Sequence, residues 1–232
     1  MGKGWSINNN FGENKKIKEN YIFILSFILP MVIMFVVFTS LGVGFIGDKT
    51  IVSSDMYTQY VAYFGKFKDI LSGDGSIFYS FNKSIGGNNI GLFAYYLASP
   101  LNLLLILFPK SAIGEFIFII YLIKIGLASL CFSLYISKVY KKKDLFVVIF
   151  SLCYALMSYN ICFQMNIMWM DGMMLLPLVV LGIEEVIVNE KYKLYMIVLF
   201  MVVVSNYYIG YMICIFSVVY FFYKSIIYKK IS

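Results

Sequence analysis

Long apolar runs broken by short polar segments dominate the chain. Residues 21–42 are almost wholly apolar, matching the roughly 20 residues a helix needs to cross about 30 Å of hydrocarbon. Lys3, Lys15, Lys16 and Lys18 precede that run, and by the charge bias of membrane proteins they set the N-terminus in the cytoplasm. The run exceeds the apolar part of a signal peptide and lacks a clear small-residue cleavage site after it, so it is expected to remain as a first span. Further spans are expected over 115–137, 145–162 and 172–188. The stretch 194–223 is too long for one ordinary crossing and contains the polar break Ser205-Asn206-Tyr207-Tyr208, so it is expected to form a hairpin of two spans.

The intervening segment, 43–114, reads as a large extracytoplasmic loop. Within it Tyr57, Tyr60, Val61, Phe64, Phe67 and Leu71 recur at helical spacing while Lys66, Lys68 and Asp69 fall off the stripe. This pattern predicts an amphipathic helix lying on the outer membrane surface. A Gly/Asn/Ser-rich loop over 73–91 follows. Residues 92–108 are apolar but interrupted by Ser99-Pro100 and Asn102. Lys138, Lys141, Lys142 and Lys143 mark the end of the next span as cytoplasmic. That span must then run inward, which leaves 92–108 as a re-entrant or interfacial helix. The expected architecture is an all-α integral membrane protein. It has a cytoplasmic segment 1–20 and a polytopic helical bundle over 21–232, with about six spans, or seven if 92–108 also crosses.

Composition supports a lipid solvent. The chain is 61% hydrophobic and 13% charged, against about half and a quarter in soluble domains. An aromatic share of 19% suits extensive contact with the membrane interface. The net charge of +7 resides in short lysine clusters, which match anionic lipid headgroups and not a continuous nucleic-acid face. Histidine is absent, which excludes a histidine metal site or a Ser-His-Asp triad within this chain. Every basic side chain is lysine, so a phosphate would be held by point charges, hydroxyls or backbone N–H groups and not by a guanidinium fork. Cys131, Cys153, Cys162 and Cys214 lie in or beside apolar runs without CxxC spacing and read as small hydrophobes.

Placed on this topology, Asp48, Asp55, Asp74, Asn88-Asn89, Asp171 and Asn206-Tyr207-Tyr208 gather at the outer face. Asp55 and Asp171 are the candidate catalytic carboxylates, suited to general-base work or to a hard divalent ion. Asp55 also stands where a helix N-cap belongs, so cap and catalyst are both open. Asp171 equally reads as a loop carboxylate beside Trp169. Lys124 sits within a span, where a charge costs at least about 2.5 kcal/mol unless it finds a partner or water. A carboxylate or a lipid phosphate would supply one. Tyr207, Tyr208 and Tyr211 read either as interface belt or as site, and Gly86-Gly87-Asn88-Asn89-Ile90-Gly91 lacks the strand and lysine of a P-loop.

Several segments, in order, are similar to the YfhO family of bacterial multi-pass membrane proteins. They are Ser54-Asp55 through Gln59-Tyr60, Phe78-Tyr79-Ser80 with Gly86-Gly87-Asn88, Tyr95-Tyr96-Leu97-Ala98-Ser99-Pro100-Leu101-Asn102, Leu122-Ile123-Lys124-Ile125-Gly126, Trp169-Met170-Asp171 before Leu175-Leu176-Pro177, and Asn206-Tyr207-Tyr208-Ile209-Gly210-Tyr211-Met212. The resemblance implies a GT-C type glycosyltransferase in the bacterial plasma membrane. Such an enzyme takes a polyprenyl-phosphate-linked sugar as donor and glycosylates a cell-envelope polymer such as lipoteichoic acid on the outer side. Family members are longer, so this chain is expected to be an N-terminal part. The family's loop carboxylate maps onto Asp55, which lacks a paired acid. The cofactor is open, a divalent metal ion at Asp55 being one candidate. Lys124, Tyr57, Gln59, Asn88, Asn206, Tyr207 and Tyr208 are the candidate substrate-binding residues. Membrane lipid and envelope glycosylation proteins are the expected partners. The rival readings are a lipid or polymer transporter with Lys124, Glu184 and Glu185 along its path, or a non-catalytic partner of an envelope system.

Overall fold

A computed structural model describes residues 10–81, 83 and 85–228, with 10–19 as backbone only. The expected N-terminal lysines, and Lys229 and Lys230, therefore lie outside the described side chains. The fold is almost entirely helical. Helix α1 is Asn10–Ser40, α2 is Val61–Leu71, α3 is the short Ile90–Leu92, and α4 is Ile113–Tyr140. They are followed by α5 (Leu145–Ala155), α6 (Ser158–Cys162), α7 (Met170–Asn189), α8 (Lys193–Ser205) and α9 (Tyr207–Ile227). A two-residue hairpin, β1 (Tyr79–Ser80) with β2 (Gly87–Asn88), is the sole sheet among the described residues. It occupies what reads in the sequence as loop.

Among the described residues three helices are long and apolar enough to cross a membrane: Asn20–Ser40, Lys110–Tyr140 and Tyr207–Ile227. A bent pair, Ile90–Leu97 with Pro100–Leu107, would make a fourth if it counted as one span. The expected six are not confirmed. The departure is clearest at 145–162, where α5 stops after 11 residues, about 16 Å of rise. At the break the Asn160 side-chain amide donates to the carbonyl of Ala155 at 2.9 Å, standing in for the backbone donor of a continuing helix. The break at Asn206, by contrast, lies where the polar interruption predicts it: α8 ends at Ser205 and α9 begins at Tyr207.

The exposed flanks are greasy. Ile24, Ile28, Val32 and Val36 on α1, and Met196, Ile197, Phe200 and Val204 on α8, all face outward. A row of this kind suits acyl chains and would be untenable against water. Inside, α4 is the central element, packed against α1, α5 and α7. The α1–α4 approach depends on Gly126: a Cβ there would sit 2.8 Å from the Phe27 carbonyl oxygen and 2.7 Å from the Met31 sulfur. Backbone cannot yield as a side chain does. Gly126→Val is therefore expected to destabilise the bundle by about 1–3 kcal/mol, read as a lower unfolding temperature of the detergent-solubilised protein.

The helices alternate so that one end of the bundle collects lysines. Lys138 at the end of α4 meets Glu185 on α7 at 3.0 Å, and Lys224 on α9 meets Glu184 at 2.8 Å. The start of α1 and the α7–α8 turn lie at this same end, since Phe23 and Leu194 share a groove with Lys138. The opposite end carries the long loop 41–112, the 156–169 connection and the α8–α9 break. This pairing of ends is what the alternating topology requires.

The expected amphipathic helix exists, but its phase and its surroundings differ. Met56–Tyr60 forms a π-helical turn leading into α2. The wider turn sets Met56, Tyr60, Phe64 and Phe67 on the buried side and leaves Tyr57 74% exposed. The stripe covers protein instead of lying on the membrane surface. Phe64 meets Phe116 of α4 edge-on with centroids 5.3 Å apart, and Phe67 packs on Phe93. Lys68 donates to the Ile106 and Leu105 carbonyls at 2.7 and 3.3 Å, and Lys110 pairs with Asp69, so even the polar face is tied to the neighbouring segment.

Candidate functional site

The bend at Ser99 organises the loop end. A residue before proline is pushed out of the helical region, and Ser99 sits at φ −57°, ψ 128°. The chain consequently turns through 88° between Ile90–Leu97 and Pro100–Leu107, the geometry of a re-entrant loop or of a broken span. Asn102 closes the bend by donating its side-chain amide to the Leu97 carbonyl at 3.1 Å. The Ser99 hydroxyl donates to Asp171 Oδ1 at 2.8 Å.

Asp171 is 1% exposed and Lys124 is 1% exposed. Lys124 Nζ donates to Asp171 Oδ2 at 2.6 Å and to the Ile167 carbonyl at 2.8 Å. The lysine thus finds a carboxylate partner in the bundle. One buried cluster ties α4, the start of α7, the 166–169 turn and the 88° bend together. Both Asp171 oxygens are engaged and its side chain is buried, an environment that suits a structural anchor.

Asp55 is different in every respect. It is exposed, begins the π-helical turn, and makes no side-chain capping bond. The geometry does not use it as a cap. Ser54 before it takes a left-handed φ of 49°, a conformation that costs a non-glycine residue of order 1 kcal/mol and tends to persist at functional positions. Burial, then the neighbouring Tyr96, then the Asp55 carboxylate raise the Tyr60 phenol well above the usual tyrosine range, so Tyr60 stays a neutral donor.

From Asp55 a run of aromatic rings extends across the loop end. Tyr60 and Tyr63 contact Tyr96 at 5.3 and 4.8 Å between centroids, and Tyr96 contacts Tyr95 at 4.6 Å. Tyr95 in turn touches Tyr207 and Tyr208. The Tyr60 hydroxyl donates to Asn166 Oδ1 at 3.1 Å and the Trp169 indole donates to the Tyr95 hydroxyl at 3.0 Å. Asn206 is 1% exposed; its amide donates to the Tyr95 carbonyl at 2.8 Å while its Oδ1 caps α9 through the Ile209 N–H at 2.9 Å. Asn206→Ala is expected to lose both bonds at a cost of about 1–2 kcal/mol, visible as faster amide exchange in the first turn of α9.

Of the expected site residues, the structure joins Tyr207, Tyr208 and Asn206 to the Tyr95–Tyr96 wall. Tyr57 and Gln59 stand on the Asp55 turn, Tyr57 exposed and Gln59 half-buried. Asn88 is separate: it belongs to the β hairpin, where its Oδ1 accepts from the Ile90 N–H and its carbonyl from Lys83. Tyr95, Ser99 and Asn166 are the members that sequence reasoning leaves out of the site. Ser99 reads there only as an interruption, although a serine before proline beside an apolar run is the signal for a bend. Asp48 lines a distinct cleft of about 300 Å3 with Thr50, Ser111 and Glu115. Among the described residues no group of three or more Cys, Asp or Glu side chains could hold a metal ion.

The profile of the bacterial membrane protein YfhO family matches residues 26–232. The chain belongs to the YfhO family. The match covers every element from within α1 to α9, so the bent pair, the buried Lys124–Asp171 cluster and the tyrosine wall all lie in the YfhO region. No curated protein and no solved structure matches the chain. Glu184 accepts from Lys224, Tyr220 and Tyr228, and Glu185 from Lys138 and Asn189. Lys124, Glu184 and Glu185, the three charges of the transport reading, are each paired within the bundle.

Proposed function

We propose that this YfhO protein is a plasma-membrane glycosyltransferase of the GT-C type, using a polyprenyl-phosphate-linked sugar and acting at the loop end of the bundle. The supporting observation is the exposed, uncapped Asp55 carboxylate at the edge of a wall of tyrosines. Aromatic faces suit the apolar faces of sugar rings, and Tyr207 and Tyr208 remain about half exposed for such contact. The lysine-rich end is assigned to the cytoplasm by charge, which turns Asp55 outward with the N-terminus inside.

In the proposed step, Asp55 accepts the proton of an acceptor hydroxyl as its oxygen bonds to the sugar anomeric carbon. The bond from that carbon to the phosphate oxygen breaks, and the polyprenyl phosphate leaves with the electron pair. The neutral Tyr96 phenol is a donor near the developing charge, and Tyr60, its own proton given to Asn166, packs against the Tyr96 ring. Lys124 and Asp171 position the bend that carries Tyr95 and Tyr96. No step passes through a metal. An envelope polymer such as lipoteichoic acid is the proposed acceptor, alone or presented by envelope glycosylation proteins.

Proteoliposomes holding the protein, a radiolabelled polyprenyl-phosphate sugar and lipoteichoic acid provide the test. Label is expected to move to the polymer only when Asp55 is intact. Equal transfer with and without Asp55 would remove the catalytic assignment. Cysteines introduced at positions 74 and 141 are expected to label from the outside and the inside respectively, and the reverse would overturn the orientation.

A further inference from the structure

Away from the tyrosine wall, at the lysine-rich end, two cavities adjoin. One, of about 440 Å3, lies where α1, α4, α7 and α8 come together, with Phe23, Leu134, Leu178, Leu181 and Leu194 for walls and Lys138 and Lys143 at its edge. The other, of about 460 Å3, shares Lys138 and Leu194 and adds Glu185, Glu190, Lys191, Tyr192 and Lys193. The first is apolar and the second charged, an amphipathic division across a shared boundary.

A second observation marks the first cavity as a ligand site. Ser137 lines it and is 7% exposed, yet its hydroxyl has no hydrogen-bond partner among the described residues. A serine in a helix often returns its hydroxyl to a carbonyl one turn back, as Ser151 and Ser217 do here at 2.7 Å; Ser26 and Ser129, like Ser137, have no such partner among the described residues, but of the three only Ser137 lines this cavity. A buried hydroxyl left unpaired costs about 1–3 kcal/mol. That cost disappears when a bound oxygen accepts from it.

We infer that this double cavity is a binding site for an anionic phospholipid of the leaflet at the lysine-rich end. An acyl chain occupies the leucine-lined part, and the phosphodiester lies at its mouth between Lys138, Lys143 and the Ser137 hydroxyl. Lysine ammonium groups suit a phosphate that is held as a point charge. Among the described lining residues four lysines stand against two glutamates, which favours an anionic headgroup over a zwitterionic one. Lys138 already carries one ion pair, to Glu185, so the lipid phosphate would join a preformed charge network. The site lies at the opposite end from Asp55, and the inference stands apart from the transferase reading.

Native mass spectrometry of the delipidated full chain, titrated with phosphatidylglycerol or phosphatidylcholine, provides the test. Phosphatidylglycerol is expected to bind at least tenfold more tightly. Lys138→Gln/Lys143→Gln is expected to weaken it at least fivefold, and Leu181→Trp, which fills the apolar part, to do the same. Because Lys138 also holds Glu185, Lys143→Gln alone, which keeps that pair, is a second measurement and should weaken binding about threefold. Lys66→Gln, at the far end, should leave it unchanged. Equal affinity for the two lipids, unchanged binding in both lysine variants, or displacement of phosphatidylglycerol by equimolar polyprenyl phosphate would each overturn the assignment.

Discussion

Replacing Asp55 by Asn is expected to cut sugar transfer by about 10²–10⁴-fold, the usual reach of a general base. The stability of the protein should stay within about 0.5 kcal/mol of the parent, as for a surface change away from special features. The two halves of this expectation come from the same geometry. The Asp55 side chain is exposed and caps nothing, so the fold does not depend on its charge, while its position beside Tyr60 and Tyr96 puts that charge where an acceptor would be deprotonated. Transfer rate in proteoliposomes and unfolding temperature in detergent, measured on one preparation, separate catalysis from folding. A loss of both together would show that Asp55 is structural.

The opposite profile is expected of the buried pair. Lys124→Met leaves the Asp171 carboxylate with Ser99 as its remaining side-chain partner, in a site where both charged groups are essentially sealed. Removing one member of such a pair costs about 3–5 kcal/mol, because an unbalanced charge stays behind. The double change Lys124→Met/Asp171→Leu removes both charges and should recover more than half of that loss. Thermal unfolding of the four proteins in one detergent provides the cycle. A single variant as stable as the parent would mean that water or lipid headgroups reach Lys124.

How far the sequence discloses this molecule depends on which forces act locally. The spans of α1, α4 and α9 and the interruption at Asn206 follow from hydropathy and charge alone, since each is a property of a contiguous stretch. The need of Lys124 for a counter-charge is equally legible, because a mid-span ammonium is costly wherever it occurs. Its partner is not: Asp171 lies 47 residues on, and only the α4–α7 contact selects it. The phase of the 56–71 stripe slips because a π-helical turn changes the periodicity, which no hydrophobic count anticipates. The break at 156–157 is marked by a single side chain, Asn160, bonded to a carbonyl inside an otherwise apolar run. At the candidate site, Asp55 is conspicuous as a carboxylate beside a span end. The tyrosine wall beside it is assembled from segments more than a hundred residues apart, as in Asn206 and Tyr95, and becomes visible only in three dimensions.

The Lys124–Asp171–Ser99 cluster also has a bearing on biogenesis. A chain made from its N-terminus delivers Ser99 first and Lys124 next, while their shared acceptor has yet to be synthesised. Until α7 emerges from the ribosome, the lysine lacks its Asp171 counter-ion and the bend at Ser99 lacks its tie to α7. Insertion of α7 is thus the event that locks the earlier segments, and a nascent chain arrested before residue 171 should still hold α4 loosely enough to be extracted from the bilayer or reoriented.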